Sequence, residues 1–436
     1  MAPAYKEENY VIIHPGSANT LVRFGLEDPV GLPSHSIPTL VYKTANGYSM
    51  NKNENAILIR PIVKGKIIDI NGFLFLIKSI INSFMKLDLN GGIELDQLHV
   101  LIVQTSKNWG YLNIEKLINY LFESLSLQHV SIVPLGLSAM FSYGSFANSV
   151  VIDVGLEKTE IWGLIDYEVC DVAGLVINKG GESVTDSLIK LLPGWSRDQI
   201  EDLKKSDIFQ CLSAEDAENS FFGVDGLKEK SDDEIDVAEI LTEGKETDLI
   251  EGKIQGKPNA ELEVNSFVDR NGQNLSVAKE RFQGCGDLIN SIVDGIYHSL
   301  KKIIDPRRRQ DCYEHVIFCG QTTRIPGFKE LVMVKLADKY LISTHKQLNT
   351  QQKAASNFRN NIVEHEEANI QQVPRHMKLI NKPDYFSTWK KHGFEDCSFL
   401  GAQIMSKQIF NHNNELSITK SFYLEEGPSA IWKVKL

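Results

Sequence analysis

Cysteine is scarce and unpaired in this sequence: the six residues Cys170, Cys211, Cys285, Cys312, Cys319 and Cys397 include no Cys-x-x-Cys spacing. That excludes a zinc ribbon and a disulfide framework, and a reducing compartment is expected. No apolar run is long enough to span a bilayer. The most apolar stretch, 73–87, is interrupted by Lys78 and Lys86 and reads as a core helix. Residues 1–9 have neither the basic flank nor the apolar centre of a secretory signal. Positive charge is in deficit, 46 Lys and Arg against 57 Asp and Glu, a formal net charge of −11. That balance argues against broad nucleic-acid wrapping by this surface, and with no spanning run no membrane partner is expected. The basic residues Lys301, Lys302, Arg307, Arg308 and Arg309 read first as a solvated helix end, and second as a nuclear import signal.

What is present is the composition of a folded protein, 42% hydrophobic, in a chain of 436 residues. That length exceeds one ordinary core and predicts two large lobes. Short apolar strands are expected at 10–13, 20–25, 100–103, 150–154 and 316–318, with helices at 73–87, 117–125, 137–143, 288–300, from Phe328, and through Phe410. Ser183 with Asp186, and Ser196 with Gln199, read as capping boxes opening two further helices. Two stretches change character: 213–261 is acidic and 343–373 is rich in Gln and Asn, and both read as surface insertions.

Two strand–turn–strand units draw attention. In the first, His14-Pro15-Gly16-Ser17 forms the turn; in the second, Asp153-Val154-Gly155-Leu156-Glu157 does. A carboxylate and a glycine at the mouth of a hairpin can hold a phosphate on backbone N–H groups and a metal on the acid. The same pair can equally be a turn whose Asp satisfies its own backbone.

The order of elements, with Glu280-Arg281-Phe282, the run 319–327 (CGQTTRIPG) and the closing run 418–429 (ITKSFYLEEGPS), resembles the actin family. Within it, 191–195 (LLPGW), 281–285 (RFQGC), 383–386 (PDYF), 400–404 (LGAQI) and 427–432 (GPSAIW) are most similar to the nuclear actin-related subunits of SWI/SNF- and RSC-type chromatin remodellers. The resemblance implies an α/β fold of the actin, sugar-kinase and chaperone ATPase type, two lobes each with a mixed sheet and flanking helices. It implies four subdomains: 1–37, 67–142 and 393–436; 38–66; 143–179 and 281–392; and 180–280. It also implies a nuclear scaffold paired with a second actin-related protein on the helicase-SANT-associated (HSA) helix of a remodelling ATPase, among other remodeller subunits.

Against the family's nucleotide site, the chain keeps Gly16, Ser17, Asp153, Gly155, Gly320 and Thr322 as remnants. It departs at His14 and Leu156, which stand in place of acids, at Pro15, which has no N–H, and at Leu21, which matches a phosphate-binding Lys. Leu135 and Glu160 match the groups that position the attacking water, and Gln321 replaces a glycine near the adenine. Glu157 is expected to face the phosphates. A like-charge pair at ~4 Å and an effective dielectric near 20 costs roughly 4 kcal/mol, against about −8 kcal/mol for micromolar binding. The expectation is therefore no catalytic residue, no cofactor and no metal. The alternative is an actin-like switch that binds ATP with slow or no hydrolysis. The family's hydrophobic groove matches Phe141, Gly144, Leu400, Ile404, Met405 and Phe410, with Phe141 and Met405 preferred as contacts for an amphipathic helix.

Overall fold

The computed structural model describes residues 7–26, 28, 30–87, 94–211, 224–225, 259–342, 373–412 and 416–434. Most of 213–261 and of 343–373, the two expected insertions, lies outside the described residues. The chain divides into two compact units. Unit 1 comprises 1–181, 317–322 and 382–436, and unit 2 comprises 182–316 and 323–381.

Two larger sheets frame unit 1. The first runs in the order Ile418–Thr419, His129–Pro134, His99–Gln104, Tyr10–Pro15, Asn19–Phe24, His35–Pro38. Its three central strands are parallel and almost wholly buried, as strands covered on both faces should be, with His99, His129 and Ser131 the buried polar residues among them. Helix Ile70–Leu87 lays Phe73, Leu76, Ile77, Ile80 and Ile81 on it, and Tyr111–Glu123 adds Leu117, Ile118 and Leu121. The first of these helices begins at Ile70, ahead of the predicted start, because Asp69 Oδ1 accepts the Gly72 N–H at 2.9 Å and caps it. The second ends at Glu123, and Leu125 stays buried beyond its end.

The second sheet pairs Ser149–Val154 antiparallel with Thr159–Ile165 and sets Val316–Cys319 beside the former. Helices Leu135–Tyr143 and Cys397–His412 cross at backbone contact: a Cβ on Gly401 would lie 1.7 Å from the Ser138 carbonyl oxygen.

In unit 2, helix Gly286–Leu300 buries Leu288, Ile289, Ile292, Val293 and Ile296, and packs on Phe328–Tyr340. Ser196 caps Arg197–Lys205 in a complete capping box with Gln199, as its spacing predicts. The Ser183–Asp186 box does not form. That helix starts at Gly181, whose N–H is taken by the Gly155 carbonyl at 3.0 Å, so Ser183 already lies within the first turn. Gly194, at φ +100°, lies just beyond the helix end at Leu191. All six cysteines are free thiols.

Candidate functional site

Both phosphate-type hairpins belong to unit 1, so their geometry can be read within one body. In the first, Gly16 N–H donates to the Asn19 carbonyl at 2.9 Å, closing the turn on itself. Thr105 Oγ1 donates to the Pro15 carbonyl at 2.7 Å. Pro15 has no N–H and Gly16's is spent, which removes two of the donors a phosphate would need. His14 Nε2 lies 3.0 Å from Ser398 Oγ. Burial, aided by the nearby Lys158 charge, lowers the His14 pKa to about 4, so the ring is neutral at pH 7. Arg23 donates to the Leu32 carbonyl at 2.6 Å and is committed there.

The second hairpin contains what the sequence reading missed. Lys158 immediately precedes the return strand Thr159–Ile165, with a side chain only 6% exposed. Its ammonium has three acceptors: Glu160 Oε2 at 2.6 Å, the Thr105 carbonyl at 2.9 Å and Asp153 Oδ2 at 3.4 Å. Three donors meet three acceptors, so the buried cation is saturated. Burial opposes its charge, but the Glu160 and Asp153 carboxylates outweigh that and hold its pKa above the ordinary lysine value. Glu160 is fully buried, and its second oxygen accepts the Lys107 N–H at 2.8 Å. For Asp153 burial prevails: it raises the pKa, and Lys158 offsets part of the rise.

Loops close over this cluster. A Cβ on Gly65, which has φ +75°, would fall 2.8 Å from Lys158 Cδ, so glycine makes room for the lysine stem. Gly320, at φ +89°, approaches so closely that a Cβ would be 2.4 Å from the Val154 carbonyl oxygen and 2.7 Å from Asp153 Oδ1. Thr322 Oγ1 donates to the Gly155 carbonyl at 2.8 Å. The predicted remnants Asp153, Gly155, Gly320 and Thr322 are thus brought together, while Ser17 stands in the first turn and is half-buried.

Glu157 does not have the predicted orientation. Its carboxylate accepts from Arg60 Nη1 at 3.0 Å and from the Lys64 N–H at 2.7 Å, with the residue 7% exposed. It is a latch onto the 60–65 loop rather than a charge aimed at a ligand. Gln321 is exposed and donates to Asp396 Oδ2 at 2.6 Å.

The groove positions separate. Phe141 is half-buried and Gly144 exposed at φ +119°. Met405 and Phe410 are 5% and 2% exposed, and the Phe410 ring packs 5.1 Å from Tyr10 and 5.4 Å from His99. These two are core side chains, whereas Ile404, one position from Met405, is half-buried.

A magnesium–nucleotide requires a free acid for its hydrated metal and free N–H groups for its phosphates. Here the acid is paired with an internal ammonium and the first turn lacks the Pro15 and Gly16 donors, so these residues do not fit that ligand.

Residues 5–365 match the actin family, and the two hairpins and every strand of both sheets described above except Ile418–Thr419 fall within that match. The chain belongs to the actin family. Among curated proteins, this actin-family chain is similar to the SWI/SNF and RSC complexes subunit arp9 of Schizosaccharomyces pombe. The two are 24% identical over 424 residues, covering 86% of this chain and 78% of the relative.

Proposed function

We propose that this chain is a non-catalytic, actin-related scaffold subunit of an ATP-dependent chromatin-remodelling complex in the nucleus. It pairs with a second actin-related protein on the HSA helix of the remodelling ATPase, alongside other remodeller subunits, and through that assembly regulates remodelling and transcription. The observation that carries the non-catalytic part is the Lys158 ammonium seated against Asp153 and Glu160, where an ATPase of this fold family needs a metal. The assembly part is supported by the similarity to a subunit of SWI/SNF and RSC complexes. The net charge of −11 favours protein partners over direct nucleic-acid contact. Among the described residues no helix is long and apolar enough to cross a membrane. The four-subdomain division, and a groove around Phe141 and Gly144, belong to this proposal.

Co-purification of the full chain with an HSA peptide and the sister protein tests the assembly. A stable three-part complex is expected, and its failure to form removes the scaffold reading. The retained quartet Asp153, Gly155, Gly320 and Thr322 supports the second reading, an ATP-binding switch. Titration with a fluorescent ATP analogue in magnesium should show no saturable binding up to millimolar concentration, above about −4 kcal/mol. Tight magnesium-dependent binding that Asp153→Ala abolishes would establish the switch instead.

A further inference from the structure

Unit 2 carries a surface that the scaffold reading leaves unused. The protein is strongly acidic overall, yet residues 301–309 place five cations beside one acid, Asp305. They span the end of helix Gly286–Leu300 and the start of Pro306–Glu314, where Asp305 accepts the Arg307 N–H and Pro306 occupies the first turn. Lys301, Lys302, Arg307 and Arg308 are exposed. Among them stands Ile304, 94% exposed, whereas its neighbour Ile303 is buried. An isoleucine held out among cations adds nothing to contact with a phosphate backbone. It fits a peptide in which acids alternate with aliphatic side chains.

Such a peptide exists in the same unit. Residues 232–241 read Asp-Asp-Glu-Ile-Asp-Val-Ala-Glu-Ile-Leu, five acids and no base. The chain leading into it is fixed nearby: Val224–Asp225 pairs in parallel with Met377–Lys378. The segment just before that partner strand lies against helix Pro306–Glu314. Gln310 Nε2 donates to the His376 carbonyl at 2.8 Å, and the Arg375 N–H donates to Gln310 Oε1 at 2.9 Å. From Asp225, an extended chain reaches Asp232 across up to ~25 Å. The helix carrying Arg307 and Arg308 is only about 13 Å long. The patch is therefore within reach.

We propose that residues 232–241 dock in cis on the 301–309 patch, their acids on Lys301, Lys302, Arg307 and Arg308 and an aliphatic side chain over Ile304. The docking covers the chain's densest basic surface with its own acidic segment, and it is weakened by salt or by a competing acidic peptide.

Zero-length carbodiimide crosslinking of the full chain, prepared as a mixture of heavy- and light-isotope protein and read by mass spectrometry, tests this. Same-isotope links are expected between Lys301 or Lys302 and the acids of 232–239. Their yield should fall about fivefold or more in Arg307→Glu/Arg308→Glu and drop in Ile304→Asp. The Lys339–Asp294 ion pair, which joins helix Phe328–Tyr340 to the middle of helix Gly286–Leu300, uses none of the patch residues and serves as the internal control that should crosslink equally throughout. The proposal is overturned if the control link forms without the 301–302 links, or if both variants leave the yield unchanged. Mixed-isotope links would overturn it too, assigning the acidic segment to a second copy of the chain.

Discussion

Replacing Lys158 by methionine should destabilise unit 1 by about 3–5 kcal/mol, the cost of leaving buried carboxylates without their counter-charge. The magnitude follows from the geometry. Asp153 and Glu160 share one ammonium, Glu160 is fully buried, and the Asp153 side chain is 12% exposed. Water cannot replace the lost partner without opening the loop that carries Gly65. At slopes of about 1–3 kcal/mol per molar urea, the midpoint should fall by about 1 M or more at pH 7. Methionine keeps most of the stem, so packing loss is a minor part of the change. The triple variant Lys158→Met/Asp153→Asn/Glu160→Gln separates the causes. It removes the charges together and should recover much of the lost stability. If the single variant unfolds with the parent, the buried cluster is not the keystone of this site. If the triple variant is as weak as the single one, shape and not charge is responsible.

The pH dependence of that variant has a definite sign. Burial raises the Asp153 pKa, so the folded chain binds this proton more readily than the unfolded chain does. The resulting stability is present at acid pH and lost as pH rises through the folded value. With the lysine gone, the offset it provides to Asp153 is gone as well, and the deficit relative to the parent should narrow as pH falls. Lys158 itself, with its pKa raised, contributes stability that persists below the unfolded lysine value and is lost only in strong alkali. The parent should therefore show no dependence on this cation between pH 6 and 9.

The two hairpins were legible in the sequence because short apolar runs and their glycine punctuation fix strand and turn locally. Lys158 was not, since a lysine at a strand's start reads as solvated. Only the approach of Thr105 and of the 60–65 loop, remote in sequence, makes it internal. The available signal was Lys158 with Glu160, two positions apart and so on one face of the strand. Glu157 misled for a related reason: its register was right, but Arg60 and the Lys64 N–H, far away in sequence, turn it aside. On the helix Cys397–His412 the choice between Ile404 and Met405 could not be made from pattern. Among the residues whose side chains are described, only Ile404, Lys407 and Gln408 escape burial, and Gln403 and Ser406 are buried polar residues, so the polar positions of the sequence do not mark the exposed face.

The burial of the rest of that helix leads to a second large effect, at Gly401. In an exposed helix, alanine for glycine gains up to about 1 kcal/mol through backbone entropy and propensity. Here the new methyl would lie 1.7 Å from the Ser138 carbonyl oxygen, 2.6 Å from its carbon and 3.3 Å from the Ser142 nitrogen. These are backbone atoms of a buried helix, with no flexible side chain to swing aside, so the helices must separate by more than an ångström. Separation breaks the Ser138 hydroxyl's bond to the Ser398 carbonyl and draws Ser398 away from His14. Overpacking of this kind costs about 1–3 kcal/mol and sometimes more, and the severed buried hydrogen bond adds about 1 kcal/mol. The cost outweighs the propensity gain, so Gly401→Ala should lower stability by a net of roughly 1–3 kcal/mol, read as a fall in the urea midpoint. Gly144→Ala serves as a contrast, because a Cβ there meets nothing within 4 Å and the only penalty is its φ of +119°. A Gly401→Ala protein as stable as the parent, or more so, would mean that the two helices do not meet at this glycine in solution. The core that seats Phe410 and Met405 would then have to be drawn differently.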